Sequence, residues 1–297
     1  MRIFVTGAGG FVGRRLLPML ESEGHRVSGA DREVDVTEIA SIGQALAEAE
    51  PDAIIHLAAM SSVAESWRRP AECFRLNFIG TRTLLRAVEA EAPRARVLLI
   101  GSADQYSPTT EPGQPLDEST PLSPRSPYAR SKAAGEQLGY EAAKRGLDVV
   151  RVRAFNHTGA GQADAFVVSS FARQVAAIKA GRQEPVMRVG NLESVRDFLH
   201  VEDVLRAYAA LLAPEVPADV YNVASGNSTP IQEVLDRLIA LAGIEARIEQ
   251  DPERFRPTDW LVGDATRLRN TTGWSPRIEF DALLRELYED WLERDAT

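Results

Sequence analysis

The sequence has few of the features that mark secreted or membrane proteins. Its single cysteine, Cys73, excludes an internal disulfide and fits a reducing compartment. No stretch approaches the roughly 18 apolar residues of a membrane helix, and the apolar run at the N terminus is too short for a signal peptide. These absences predict a cytoplasmic protein that does not enter a membrane.

Positive charge and metal-binding patterns are also scarce. The formal net charge of −9 argues against general affinity for nucleic acid or anionic membranes. The four histidines are widely spaced and no cysteine pair accompanies them, so we expect no metal site. The 297 residues are otherwise of ordinary globular composition, with 44% hydrophobic and 26% charged residues.

Short apolar runs alternate with amphipathic segments in the first half of the chain. Strands are predicted at residues 3–5, 26–30, 34–36, 53–58, 97–100 and 149–154, and helices at residues 11–23, 73–92 and 128–145. This alternation predicts an α/β fold, a doubly wound parallel sheet of the Rossmann type with helices on both faces. Residues 107–127 carry six prolines and are predicted to form a surface loop.

The alternation loosens beyond about residue 155. Strands are predicted at residues 186–189, 220–223 and 246–248, and helices at residues 166–180, 201–212 and 231–242. We therefore predict a dinucleotide-binding Rossmann domain over residues 1–155. Residues 156–297 are predicted to form a smaller α/β substrate-binding region, interleaved with the first domain.

A glycine-rich segment, Thr6-Gly7-Ala8-Gly9-Gly10-Phe11-Val12-Gly13, joins the first strand to the first helix. Gly7, Gly10 and Gly13 permit a tight turn and close approach of a diphosphate to the backbone. The helix N terminus offers free N–H groups to phosphates. A plain structural turn is the alternative, but the strand before and the helix after favour a dinucleotide site.

Asp31 and Arg32 end the second predicted strand. An acidic residue at this place accepts hydrogen bonds from an adenosine ribose, whereas an arginine meets a 2′-phosphate. Asp31 also fits a solvated strand end. These two residues therefore do not decide whether the protein prefers NAD or NADP.

Tyr128 and Lys132 stand four residues apart on a predicted helix, so they share one face. A nearby cation favours the phenolate, which predicts that Lys132 lowers the pKa of Tyr128 and makes it an acid–base catalyst. Such a pair is common by chance. Ser102 adds weight to it, because it follows the fifth strand, where parallel sheets bind their ligands.

Together these motifs resemble the extended short-chain dehydrogenase/reductase superfamily over essentially the whole chain. The resemblance rests on the glycine motif, Asp35-Val36, His56-Leu57-Ala58-Ala59, Asn77, Ser102 and Tyr128-x-x-x-Lys132. It implies an NAD(P)H-dependent enzyme with Ser102, Tyr128 and Lys132 as its catalytic set. The implied cofactor contacts are Gly7, Gly10, Phe11, Val12, Gly13, Asp31, Arg32, Asp35, Val36, Leu57, Ala58, Ala59, Asn77, Tyr128 and Lys132.

The second half is more similar to one branch, the GDP-4-keto-6-deoxy-mannose reductases, at residues 153–162, 189–198 and 256–259. This similarity implies a nucleotide-sugar substrate, preferably GDP-linked, whose C4 ketone is reduced to GDP-rhamnose or its C4 epimer. Arginine forks suit diphosphate oxygens, although a lone arginine is commonly solvated or salt-bridged. The implied substrate contacts are Ser102, Ala103, Asn156, Val167, Asn191, Arg196, Arg256 and Asp259.

Asp104 is the informative departure from the related dehydratases, which normally carry a glutamate here to move the C5 proton. Asp104 keeps the charge but is one methylene shorter, so it favours a reductase while leaving a dehydratase or epimerase open. We place it with the catalytic residues. A non-enzymatic dinucleotide sensor is less favoured, because the tyrosine and lysine are intact. The resemblance also implies a homodimer that uses the helices predicted at residues 73–92 and 128–145.

Overall fold

The computed structural model describes residues 1–107, 113–252 and 259–294. In chain order its strands are β1 (Arg2–Thr6), β2 (Arg26–Ala30), β3 (Ala53–His56), β4 (Arg96–Ile100), β5 (Val149–Ala154), β6 (Asn156–Thr158), β7 (Val186–Val189), β8 (Val195–Arg196), β9 (Phe198–His200), β10 (Val220–Val223), β11 (Thr229–Pro230), β12 (Arg247–Gln250) and β13 (Trp260–Leu261).

The α-helices are α1 (Gly13–Ser22), α2 (Ile39–Ala49), α3 (Val63–Arg68), α4 (Pro70–Phe74), α5 (Gly80–Glu91), α6 (Pro127–Lys144), α7 (Val167–Lys179), α8 (Val201–Leu211), α9 (Ile231–Ala242), α10 (Thr266–Thr272) and α11 (Phe280–Arg294). A π-helical turn (Arg75–Ile79) joins α4 to α5, and a 3₁₀ turn (Ala103–Gln105) follows β4. No helix among the described residues is long and apolar enough to cross a membrane.

A six-stranded parallel sheet forms the centre of the molecule, in the spatial order β2-β1-β3-β4-β5-β10. All strands run the same way, so their carboxyl ends meet at one edge, the usual ligand-binding edge of such sheets. The predicted Rossmann-type α/β class is confirmed.

Alternate residues of the strands pack on opposite faces of this sheet, as the pleat requires. In β1, Ile3 and Val5 lie in one core cluster with Leu16 of α1, whereas Phe4 lies in another with Ile42 of α2. A third cluster, formed by α7, α9 and α11 with β7, gives the later part of the chain its own core.

The strand predicted at Val34–Val36 is wrong, because this segment forms turns. The Asp35 carboxylate accepts hydrogen bonds from the backbone N–H of Thr37, at 2.8 Å, and from its hydroxyl, at 2.7 Å. Such local side-chain bonds favour turns over extended backbone. Helix α2 follows directly, in a segment for which the sequence pattern predicts no element.

The helix predicted over residues 73–92 is broken into α4, the π-helical turn and α5. A π turn is a local widening of the helix that often occurs at functional sites. Here it carries Asn77, whose buried side chain contacts the loop after β3 and helix α6.

The strand predicted at Val220–Val223 exists, but it joins the central sheet beside β5, outside the smaller region to which the sequence pattern assigns it. The chain thus leaves the sheet after β5 and returns to it after α8. The division into residues 1–155 and 156–297 stays a prediction. Of the smaller region's remaining strands, β7 and β12 pair with each other in parallel, as do β6 and β9.

Candidate active site

Ser102 lies directly beyond the carboxyl end of β4 and is 8% exposed. It begins the 3₁₀ turn, where its hydroxyl accepts a hydrogen bond from the Asp104 N–H at 3.2 Å. Its own N–H donates to Oε1 of Gln105 at 3.0 Å, which completes a capping box. Two reciprocal bonds therefore hold the serine in place.

Tyr128 lies in the first turn of α6, which begins where the Ser126 hydroxyl caps the N–H of Ala129 at 3.0 Å. Its side chain is 8% exposed, and the Ser102 side chain is near enough to lower the pKa of its phenol. The structure therefore brings together two groups that are 26 positions apart in the chain.

Burial and the charge of Asp104 raise the pKa of Tyr128 above its usual range, and the nearby Ser102 side chain offsets only part of this effect. The expectation that Lys132 lowers this pKa is therefore wrong for this structure. Desolvation of the phenol dominates, and the Lys132 ammonium donates to the carbonyl oxygen of Ile100 at 2.8 Å. The phenol stays protonated at neutral pH.

Lys132 lies one helical turn after Tyr128 and is partly buried. Burial lowers its pKa to about 8. Its hydrogen bond to Ile100 connects α6, which carries Tyr128, to the end of β4, which leads to Ser102. Close by, burial and the Lys132 charge lower the pKa of His56 to about 3, and His56 Nδ1 bonds the Thr6 hydroxyl at 2.8 Å.

Asp104, Arg196 and Asp259 form a charged group beside Tyr128. The guanidinium of Arg196 pairs with the Asp259 carboxylate at 2.6 Å. Burial raises the pKa of Asp104, the positive charge of Arg196 lowers it, and the negative charge of Asp259 raises it again. Arg196 of β8 and Asp259, just before β13, therefore act on Asp104, which in turn acts on the tyrosine from the 3₁₀ turn after β4.

The glycine-rich segment forms a cradle that side chains would fill. Gly7 adopts a φ of +70°, and a Cβ there would lie 2.7 Å from the backbone N of Ala58. A Cβ on Gly13 would lie 2.5 Å from the carbonyl oxygens of Gly7 and Ala8. Phe11 and Val12 are half-buried between them. The backbone is close-packed and offers its first helical turn outward, so these residues fit a dinucleotide diphosphate.

The remaining predicted cofactor residues border this cradle in different ways. The Asp31 carboxylate lies over Gly9, and Arg32 is exposed. The Asp35 carboxylate is engaged by Thr37, which holds its pKa below the usual range. Val36 is 6% exposed and belongs to the core.

The loop after β3 forms the opposite wall of the cradle. The N–H of Leu57 donates to the carbonyl oxygen of Thr6 at 3.2 Å, and the N–H of Ala58 donates to the Thr6 hydroxyl at 3.2 Å. Ala59 follows, half-buried. Asn77 holds the loop from the other side through Met60, at 2.8 Å to its N–H and 3.0 Å to its carbonyl oxygen.

The predicted substrate residues are spread over several elements. Ala103 is buried beside Ser102, Asn156 begins β6, and Val167 begins α7 with 39% of its surface exposed. Asn191 follows β7, where its side chain accepts the N–H of Glu193 at 2.9 Å. Arg256 lies outside the described residues.

Two contacts that position the site were not predicted. Gln105 completes the capping box of Ser102, and the Ser-x-x-Gln spacing could have revealed it. Glu136 of α6 pairs with Arg153 of β5 at 2.6 Å, both side chains being under 10% exposed. This buried pair fixes the catalytic helix against the sheet, and no local pattern announces it because the partners meet only in the fold.

Comparison with known proteins places this geometry among nucleotide-sugar enzymes. The family model described as GDP-mannose 4,6 dehydratase matches residues 32–287. GDP-6-deoxy-D-mannose reductase of Pseudomonas aeruginosa is 40% identical over 299 residues, covering 99% of this chain and 98% of that protein. The structure of RMD from Pseudomonas aeruginosa complexed with NADPH superposes with a TM-score of 0.90 at 39% identity, covering 99% and 98% of the two chains.

A second solved structure extends the likeness to epimerases. UDP-glucose 4-epimerase of Thermus thermophilus in complex with NAD superposes with a TM-score of 0.88 at 28% identity, over the whole of both chains. Both solved relatives therefore hold a nicotinamide dinucleotide, although the two cofactors differ.

Proposed function

The chain belongs to the GDP-mannose 4,6 dehydratase family, and from this premise we propose that it reduces the C4 ketone of GDP-4-keto-6-deoxy-mannose with NAD(P)H. The product is GDP-rhamnose or its C4 epimer. The observation that carries the proposal is the convergence of Ser102, Tyr128 and Lys132 at the carboxyl edge of the sheet, where Ser102 is near enough to lower the pKa of Tyr128 and Lys132 bonds the end of β4. The 40% identical relative named GDP-6-deoxy-D-mannose reductase supports the same reaction.

The residues of the site divide the work of reduction. Bound NAD(P)H supplies the hydride that adds to C4. Tyr128 donates its proton to the ketone oxygen, and the Ser102 hydroxyl donates a hydrogen bond to the same oxygen. The raised pKa of Tyr128 keeps it in the protonated form that a donor needs. Lys132 is placed to hold the nicotinamide ribose, as the resemblance to the superfamily implies.

The cradle of Gly7, Gly10 and Gly13 would hold the cofactor, with the loop at Leu57–Ala59 as its far wall. The sugar and diphosphate would be bound on the other side of Tyr128. There Arg196 would bind phosphate oxygens, with its guanidinium oriented by the 2.6 Å pair with Asp259. Asn156, Val167 and Asn191 line the remainder of the substrate site.

The reaction is tested by mixing the protein with GDP-4-keto-6-deoxy-mannose and either reduced cofactor. One equivalent of reduced nicotinamide should disappear for each alcohol formed, as followed by absorbance and chromatography of the nucleotide sugar. A protein that consumes no reduced cofactor with this ketone contradicts the proposal.

Dehydration or epimerisation is the second candidate, because a buried carboxyl, Asp104, lies close enough to Tyr128 to affect its pKa. Asp104→Asn separates the two reactions. A reductase needs no base at C5, so the variant should keep ketone reduction within about tenfold of wild type. If Asp104 were instead the base that removes the C5 proton, the same variant would lose about 10²- to 10⁴-fold in the rate of dehydration. Release of water from GDP-mannose by the wild-type protein would favour the dehydratase.

We also propose a cytoplasmic homodimer that associates through the helical segments at residues 73–92 and 128–145. The buried, free Cys73 suits a reducing compartment. Size-exclusion chromatography with light scattering should give twice the mass of the chain. A monomeric mass at micromolar concentration contradicts the proposed dimer.

A further inference from the structure

Two carboxylates flank Arg32 at the end of β2. The first, Asp31, lies directly against the glycine cradle, because a Cβ on Gly9 would come within 2.2 Å of Asp31 Oδ2. The second belongs to Glu33. All three side chains are exposed, so they border the open side of the cradle.

Glu33 is held in a specific way. Its Oε1 accepts a hydrogen bond from the backbone N–H of Asp31 at 2.7 Å. That bond and one from its own N–H lower the pKa of the Glu33 carboxyl, so it is ionised at neutral pH. The Asp31 N–H, which faces the end of β2, is thus already bonded to a carboxylate of the same chain.

On the basis of the proposed function, we propose that Glu33 occupies the place where the 2′-phosphate of NADPH would bind, and that with Asp31 it makes this protein select NADH. The end of the second strand of a Rossmann sheet meets the adenosine ribose, where NADH carries a 2′-hydroxyl and NADPH a phosphate. The hydroxyl donates to the Asp31 carboxylate. The phosphate, with a charge of about −1.5 to −2, meets two carboxylates and finds the Asp31 N–H already bonded.

Arg32 is the argument for the opposite preference, since an arginine here can pair with a 2′-phosphate. Its single positive charge is outweighed by the carboxylates on either side. A structure of a relative complexed with NADPH makes the alternative concrete, because that relative shares 39% identity with this chain. The preference therefore depends on the residues at 31–33.

The test is direct binding to the protein without sugar substrate. Dissociation constants for NADH and NADPH are measured by calorimetry or by the fluorescence of the reduced nicotinamide. The wild type should bind NADH at least about tenfold more tightly than NADPH, as expected for a dianion placed beside two ionised groups.

Three variants locate the cause. Glu33→Ala should tighten NADPH binding and leave NADH binding within about twofold of wild type. The ratio of the NADPH to the NADH dissociation constant should therefore become smaller. Glu38→Ala, which removes a neighbouring exposed carboxylate at the start of α2, is the matched control and should leave the ratio unchanged. Arg32→Ala should weaken NADPH binding less than about threefold, because exposed ion pairs contribute little.

The outcomes are distinguishable. Tighter binding of NADPH than of NADH by the wild type overturns this inference and leaves the proposed reaction standing. The inference is also overturned if Glu33→Ala leaves the ratio unchanged, or if Arg32→Ala abolishes NADPH binding. A protein that binds neither cofactor overturns the proposed function and this inference with it.

Discussion

At the scale of single residues, the proposed reaction depends on one phenolic hydroxyl, that of Tyr128. Tyr128→Phe should lower kcat about 10²- to 10⁴-fold, because the proton donor to the ketone oxygen is lost. Binding of the reduced cofactor should stay within about twofold of wild type. Tyr140→Phe removes an exposed hydroxyl from the same helix and is the matched control. Near-normal turnover by Tyr128→Phe would contradict the assigned role.

The pH dependence of turnover should follow Lys132. Its pKa is lowered to about 8 by burial, so its ammonium is present at pH 7 and is largely lost above pH 9. Turnover should therefore fall as the pH rises through about 8, because the charge that is proposed to hold the nicotinamide ribose disappears. His56, with a pKa of about 3, is neutral throughout and adds no step near neutrality. A kcat profile that stays flat well above pH 8 contradicts this role.

The proposed catalytic residues could be expected to lie together because their spacing has geometric meaning. Four positions on a helix place Tyr128 and Lys132 one turn apart, and a serine after a parallel strand must lie at the ligand edge. The protonation state of Tyr128 could not be predicted in this way. It depends on how much water the fold removes from the phenol and on Asp104, whose distance from it no local pattern encodes.

At the scale of elements, the π-helical turn carries a structural prediction. Asn77 is 2% exposed and bonds Met60 and Ser131, so Asn77→Ala leaves two backbone groups of Met60 without a partner. The free energy of unfolding should fall by about 1–3 kcal/mol, and each kcal/mol lowers Tm by roughly 2–4 °C.

Thermal unfolding followed by circular dichroism measures this loss. The matched control is Gln137→Ala on the exposed side of α6, which should stay within about 0.5 kcal/mol of wild type. Cofactor binding should also weaken in Asn77→Ala, because the loop at Leu57–Ala59 loses its anchor. An unchanged Tm contradicts the role of the π turn.

The elements themselves were predictable where a periodic apolar pattern governs them. The strand at residues 149–154 and the helix at residues 231–242 were predicted with the bounds that the structure gives. The prediction failed at Val34–Val36, because hydrogen bonds of the Asp35 carboxylate favour turns in this segment over a strand. It also failed at the π turn, whose extra residue leaves the apolar spacing nearly unchanged.

At the scale of the whole molecule, strand β10 makes the two halves of the chain interdependent. Residues 1–155 alone would expose the edge of β5 and the apolar face that α8 covers through Leu205, Tyr208 and Leu211. We expect this fragment to aggregate or to lack fixed tertiary packing, as judged by near-ultraviolet circular dichroism. Addition of residues 156–297 during refolding should restore the signal. A fragment 1–155 that folds cooperatively by itself contradicts the interdependence.

The position of β10 also has a consequence during synthesis on the ribosome. The neighbour of β5 emerges only after residues 155–219 have been translated. At about 5–20 residues/s, the nascent sheet waits several seconds with an open edge, and open edges invite pairing with other chains. Holdase chaperones that shield this edge should therefore govern how much native protein a cell obtains at high expression.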